Sequence, residues 1–92
     1  MPVEVRIPTI LRTYTGGAKA VDGNGSTLEE VLESVEAANP GIRERLVDEG
    51  DLRRFINVYV NDEDVRFLGG LGTKVDDGDV IVVLPAVAGG RR

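Results

Sequence analysis

The sequence predicts an α+β domain in which a small mixed sheet of four to five strands has one main helix packed across it. Three observations support this prediction. The length, 92 residues, is that of one small domain. Segments with alternating or β-branched apolar residues occur near both ends of the chain and in its second half, and one segment between them has helical apolar spacing.

The first two predicted strands form an N-terminal hairpin. Residues 3–11, VEVRIPTIL, place apolar and charged side chains on opposite sides, as in a half-buried strand. Pro8 lacks an amide hydrogen, so we expect a bulge or a sheet edge there. The glycines of residues 15–17 predict a turn, and residues 18–21 are predicted to return as the second strand.

The main helix is predicted to follow a loop at residues 22–25. Ser26 and Glu29 have capping-box spacing, which predicts the helix start. The apolar stripe then comprises Leu28, Val31, Leu32, Val35 and Ala38. Asn-Pro-Gly at 39–41 is a stop signal, after which residues 42–47 predict a short second helix. Residues 48–51 are predicted to be an acidic loop.

The second half predicts the remaining strands. Residues 55–60 are β-branched and aromatic, residues 61–64 form a polar turn, and residues 65–67 are expected to be a short edge strand. A glycine loop and a tight turn at residues 76–79 follow. The apolar run 80–84 is predicted to be a central strand buried on both faces.

Composition excludes several classes of protein. The chain has no cysteine and no histidine, which removes disulfides, thiolate metal sites, the cysteine nucleophile and the usual general base. The net charge of −5 disfavours nucleic-acid binding and suits a basic partner surface. No apolar stretch approaches the roughly 20 residues of a membrane span, and no signal peptide is recognisable, so we expect a cytoplasmic protein. A carrier or binding module, monomeric when free, is favoured over an enzyme.

The chain end, LPAVAGGRR, has two interpretations that the residues alone leave open. It is an ordinary frayed terminus, or it is a flexible probe in which Ala88, Gly89 and Gly90 thread a narrow channel of a partner. We therefore expect a folded domain over residues 1–88 and a flexible C-terminal tail over residues 89–92.

Other candidate sites have plainer explanations. The acidic turn at residues 76–79 lacks the ligand spacing of an EF-hand, and the glycine loop lacks the lysine of a phosphate loop. Ile10, Leu68 and Leu71 fall outside the alternating pattern. They are either scattered exposed residues or the parts of a patch that docks a partner.

The segments IPTILR, FINVYVNDEDVRF and LPAVAGG, together with the capped helix, resemble the β-grasp (ubiquitin-like) sulfur carrier proteins of the ThiS/MoaD family over essentially the whole chain. The resemblance is strongest to the actinobacterial carriers of cysteine biosynthesis. It implies that an E1-like adenylating and sulfurtransferase enzyme uses ATP to activate the carboxylate of Gly90, which then becomes a thiocarboxylate. It further implies delivery to a PLP-dependent cysteine synthase or another synthase, a JAMM-type zinc peptidase as a partner, and no bound cofactor.

One departure from the family pattern follows the diglycine. Arg91 and Arg92 place Gly90 in an amide bond, so we expect a peptidase to cleave between Gly90 and Arg91, unless the arginines were added in cloning. Their removal takes the net charge from −5 to −7, because two positive charges leave. Alternative functions are the small subunit of molybdopterin synthase and a ubiquitin-like protein modifier.

Overall fold

The computed structural model describes residues 2–85, so Met1 and residues 86–92 lie outside the described part of the chain. Five strands form a mixed sheet in the order β2-β1-β7-β5-β6, and two further strands pair as a small ribbon. In chain order the strands are β1 (Val3–Arg6), β2 (Ala20–Gly23), β3 (Val47–Asp48), β4 (Asp51–Leu52), β5 (Ile56–Val60), β6 (Glu63–Asp64) and β7 (Val80–Pro85). β1 runs parallel to β7, and the other pairings in the sheet are antiparallel.

One face of the sheet is covered by helix α1, Leu28–Ala38, which is followed by α2, Ile42–Leu46. The buried side chains of α1 are those of the predicted stripe, with the exception of its last member. They pack on the inward side chains of β1, β5 and β7, and these elements together form one core. The predicted mixed sheet with one main helix is therefore confirmed.

The helix start lies one residue later than the Ser26–Glu29 capping box predicts. Thr27 is the N-cap, and its Oγ1 accepts a hydrogen bond from the Glu30 amide at 3.3 Å. The Glu30 carboxylate accepts in turn from the amide and the hydroxyl of Ser26, at 2.8 and 2.9 Å. A tertiary contact fixes this frame, because the Leu28 amide donates to the Thr73 carbonyl at 2.9 Å.

The predicted strand over residues 3–11 is wrong beyond Arg6. Residues Thr9–Thr15 form a 3-10 helix that begins after Pro8 and ends at Gly16, whose φ is +66°. Pro8 cannot donate to a neighbouring strand, and its carbonyl instead accepts from the Leu11 amide at 2.9 Å. The turn buries Leu11, which explains why the apolar pattern continues past the strand end. The returning strand accordingly begins at Ala20 rather than at residue 18.

Two expectations in the second half also need correction. Val65–Phe67 is a 3-10 helix rather than an edge strand, because Asp64 caps it through the Arg66 amide and Val65 turns into the core. The expected acidic loop at 48–51 is the tip of the β3–β4 ribbon. The glycine loop contains a 3-10 turn, Gly70–Gly72.

The strand β7 is central, as predicted, but it is not buried on both faces. Ile81 and Val83 point into the core and are fully buried, whereas Leu84 on the opposite side is 45% exposed. Helix α1 covers one face of the sheet only, so the second apolar face of this strand lies open.

Candidate functional site

The candidate site lies at the end of the central strand β7. Pro85 is the last described residue, and the predicted sulfur-carrying and processing residues, Gly90 and Arg91, lie outside the described residues, as do Ala88 and Gly89. β7 is held on both sides: Val82 pairs with Arg6 of β1, and Pro85 pairs with Ile56 of β5. The end of β7 at Pro85, which we call the exit point, is therefore fixed by two neighbouring strands.

A groove lies beside this exit point, with a volume of about 460 Å³. Its apolar floor includes Ile10 and Leu84, which are 64% and 45% exposed. Pro85, the last residue of β7, lies in the same lining. We call it the basic groove, because Arg6, Arg12 and Lys19 also line it, and no acidic side chain of the described residues does.

The three residues that supply the cations of the basic groove are placed by different local contacts. The Arg12 Nε donates to the Ile7 carbonyl at 3.0 Å, which fixes that side chain against the strand end. The Ile7 amide donates to the Lys19 carbonyl at 2.8 Å, which continues the β1–β2 pairing past the strand. Arg6 forms a surface ion pair with Glu4 at 2.7 Å, with both side chains well exposed. Such an exposed pair stabilises little and leaves the guanidinium accessible.

On the other side of β7, hydrogen bonds from Arg66 hold the start of β5 in place. Its guanidinium donates to the Ile56 carbonyl at 2.6 Å and to the Asn57 side-chain oxygen. Asn57 pairs with Leu84 in the strand register, so this clamp stands next to the exit point. It adds a fourth cation to this end of the sheet.

The structure separates the three residues predicted to dock a partner. Ile10 lies on the basic groove, whereas Leu68 lines a different cavity near the other end of β7, beside Lys74 and Asp79. Leu71 is 9% exposed and belongs to the core, so the expectation that it is exposed is wrong. Leu84 also lines the groove, and the sequence did not single it out as a site residue. Its alternation with Ile81 and Val83, which face the core, predicts that its side chain lies on the exposed face of the sheet.

Carboxylates with shifted pKa values lie away from the groove and stabilise turns. Hydrogen bonding to the Asn61 side chain, followed by the Asp76 amide at 2.8 Å, lowers the pKa of Asp79. Backbone hydrogen bonds from Gly41 and then Arg43 lower the pKa of Glu36. These groups hold loops in place, and they do not line the exit point.

Metal binding and membrane insertion both bear on function. Within residues 2–85, no group of three or more acidic side chains is arranged to hold a metal ion. None of the helices in that range has the length and apolar character needed to cross a membrane. Residues 76–79 are a turn, in which the Asp79 amide donates to the Asp76 carbonyl at 3.0 Å.

Comparison with known proteins gives a family match over most of the chain. The model of the ThiS family matches residues 5–90. The sulfur carrier protein CysO of Mycobacterium tuberculosis H37Rv is 58% identical, over 98% of this chain and 100% of that protein. The small archaeal modifier protein 3 of Haloferax volcanii is 42% identical over the same shares.

Solved structures agree with this match. The crystal structure of the Amycolatopsis orientalis BexX/CysO complex contains a chain with a TM-score of 0.92 and 61% identity, covering 96% of this chain and 99% of that one. The crystal structure of M. tuberculosis CysO matches with a TM-score of 0.90 and 57% identity, over 92% of this chain and 99% of that one. These likenesses confirm the β-grasp fold that the resemblance implied.

Proposed function

This chain belongs to the ThiS family and is a sulfur carrier protein, and on that premise we propose that it carries sulfur as a thiocarboxylate on Gly90 for cysteine biosynthesis. The observation that supports the proposal most is the full-length similarity to CysO, together with a family match that extends to residue 90. In this proposal the chain acts as a protein co-substrate, and the catalytic groups belong to its partners.

The chemistry requires activation of a poor electrophile. An E1-like enzyme transfers AMP from ATP to the Gly90 carboxylate and releases pyrophosphate. A sulfur donor then attacks the acyl adenylate, the carbon–oxygen bond to AMP breaks, and a thiocarboxylate remains. Since the chain contains no cysteine, no thiol of its own competes for the activated carbonyl.

A free Gly90 carboxylate is a condition of this scheme. In the sequence Gly90 is followed by Arg91, so the peptide bond between them must be hydrolysed first. We assign this step to a peptidase of the JAMM zinc type, and the delivery of sulfur to a pyridoxal-phosphate-dependent synthase. ATP belongs to the activating enzyme, and the cytoplasm is the compartment in which we place the reaction.

Intact mass spectrometry tests the proposal. Three forms of the chain, ending at Arg92, Gly90 and Ala88, are incubated with the E1-like enzyme, ATP and sulfide, and are then treated with an alkylating reagent. We expect only the form that ends at Gly90 to exchange one oxygen for sulfur and to become alkylated. Exchange in the form that ends at Arg92, or none in the form that ends at Gly90, would contradict the proposal.

A second candidate function is protein modification through the same Gly90. The 42% identity to small archaeal modifier protein 3 over the whole chain favours considering it. The two functions differ in their products, because a modifier forms isopeptide bonds to lysines of target proteins. Proteolysis of cell extract followed by a search for lysines that carry the chain's C-terminal residues separates them.

A further inference from the structure

A second cavity lies between the 3-10 helix Thr9–Thr15, helix α2 and the segment that precedes β5. It is open to solvent and has a volume of about 430 Å³. Arg45 of α2 and Arg53 line it together, and no acidic side chain of residues 2–85 does. No described residue of β7 lines it either, and Ile10 is the one residue that it shares with the lining of the basic groove.

Arg45 is oriented by Tyr14, which also lines the cavity. The Arg45 Nε donates to the Tyr14 hydroxyl oxygen at 2.7 Å, and the guanidinium carbon lies 5.8 Å from the centre of the Tyr14 ring. The ring itself lies close against Gly41, where a Cβ atom would come within 3.0 Å of it. Because the hydroxyl oxygen of Tyr14 accepts from Arg45, its hydrogen is left to donate to another acceptor.

Arg53 is oriented by the backbone of α2. Its Nε donates to the Glu44 carbonyl at 2.7 Å, and its amide donates to the Leu46 carbonyl at 2.9 Å. Its ion pair with Asp48 is long, at 3.9 Å, and exposed, so it stabilises little. In both arginines of the cavity the fold therefore binds Nε and leaves the terminal guanidinium nitrogens to bind a ligand.

These donors match a phosphate group. The planar fork of a guanidinium fits two phosphate oxygens at once, and hydrogen bonds between such charged groups are stronger than neutral ones. A phosphate monoester has a charge of about −1.5 to −2 at pH 7, which the two guanidinium groups balance. The Tyr14 hydroxyl supplies a further donor, and Ile10, which is 64% exposed, offers an apolar contact to the group that carries the phosphate.

We propose that Arg45, Arg53 and the Tyr14 hydroxyl form a binding site for a phosphate group, either inorganic phosphate or the phosphate of a small monoester. The donors come from the 3-10 helix, from α2 and from the segment before β5, so the ligand links three segments that are distant in the sequence. A ligand that binds the folded chain stabilises it by mass action. This inference goes beyond the proposed function, because it involves neither β7 nor Gly90.

NMR titration of the full chain at pH 7 tests the proposal. The backbone amide signals of Tyr14, Arg45 and Arg53 are followed while inorganic phosphate, phenyl phosphate, acetate or chloride is added at equal ionic strength. We expect inorganic phosphate to shift these signals together and saturably, with half-saturation at about 1–10 mM, and chloride and acetate to leave them in place. Tighter binding of phenyl phosphate identifies a monoester that contacts Ile10, and equal or weaker binding identifies free phosphate.

Three arginine variants provide the matched comparison. Arg45→Gln and Arg53→Gln each remove one positive charge from the cavity, whereas Arg54→Gln removes the same charge from a neighbouring exposed residue that does not line it. We expect the first two to weaken phosphate binding about five- to tenfold and Arg54→Gln to change it less than about twofold. Added phosphate should raise the melting temperature of the unmutated chain and of Arg54→Gln by similar amounts, and that of Arg45→Gln less.

The outcomes are distinct from those for the proposed function. An absence of saturable shifts with inorganic phosphate, or equal weakening by Arg45→Gln and Arg54→Gln, overturns the site. Acetate that binds as tightly as phosphate overturns phosphate as the ligand class. Formation of a thiocarboxylate on the chain ending at Gly90 is measured separately by intact mass, so either proposal can fail while the other stands.

Discussion

Replacing Gly23 by alanine should destabilise the domain, because helix α1 crosses strand β2 at this residue. A Cβ atom on Gly23 would lie 2.7 Å from the Val31 Cγ1 and 3.2 Å from the Val35 Cγ2. It would also lie 3.3 Å from the Val31 carbonyl oxygen, which belongs to the helix backbone. Valine has one strongly preferred rotamer in a helix, so the strain is relieved mainly by movement of α1.

The expected magnitude follows from two opposing effects. Overpacking a well-packed core costs about 1–3 kcal/mol. Alanine recovers about 0.4–1 kcal/mol by restricting the unfolded chain, because the φ of Gly23 is outside the left-handed range. The net loss is about 1–2 kcal/mol, which lowers the melting temperature by roughly 4–16 °C in a domain of this size.

Urea unfolding of Gly23→Ala and of a control, Gly72→Ala, tests this reasoning. A Cβ atom on Gly72 meets nothing within 4 Å, and its φ is also outside the left-handed range, so the control should change stability by less than about 0.5 kcal/mol. In the double variant Gly23→Ala with Val31→Ala, the added methyl group fills part of the new cavity. Its stability loss should be smaller than the sum of the two single losses by about 1 kcal/mol. Wild-type stability in Gly23→Ala, or strict additivity in the double variant, would refute the argument.

Three further predictions concern the helix caps and the core. Glu36→Gln should lower the urea midpoint at pH 7, since the carboxylate accepts two backbone hydrogen bonds. The folded-state pKa of Glu36 is lowered, so the carboxylate stabilises the fold above pH 4.5, and this stabilisation is lost as the pH falls through the folded-state pKa. The difference in stability between Glu36→Gln and the unmutated chain should therefore shrink as the pH falls below 4.5. Leu71→Ala should cost about 2–5 kcal/mol in chemical unfolding, and Leu68→Ala less than about 1 kcal/mol, because Leu71 is buried and Leu68 is 44% exposed; equal losses would contradict this assignment. Thr27→Ala should cost about 1 kcal/mol as the loss of an N-cap, and a loss after Ser26→Ala but none after Thr27→Ala would return the cap to the position that the sequence predicts.

The sequence by itself determined the elements whose signals are local. The apolar stripe of α1 has helical spacing and a stop signal, and the observed helix, Leu28–Ala38, follows both. The β-branched run of β5 was predicted for the same reason. The turn predicted at residues 61–64 is confirmed at Asn61 and Asp62, whereas Glu63–Asp64 form the edge strand β6, which pairs with β5. The resemblance that identified the family also depends on continuous segments, among them the diglycine at 89–90.

Only the tertiary structure decided the features that depend on distant segments. The helix start moved from Ser26 to Thr27 because residues 26–28 hydrogen-bond to residues 73–75. Leu71 became a core residue because its 3-10 turn packs against α1 and the β3–β4 ribbon. The basic groove joins the turn after β1, the start of β2 and the end of β7, and its cations are diluted in an acidic sequence. Net charge is a sum over the chain, whereas docking depends on the charges within one Debye length, so the sign of this surface could be read only after the chain had folded.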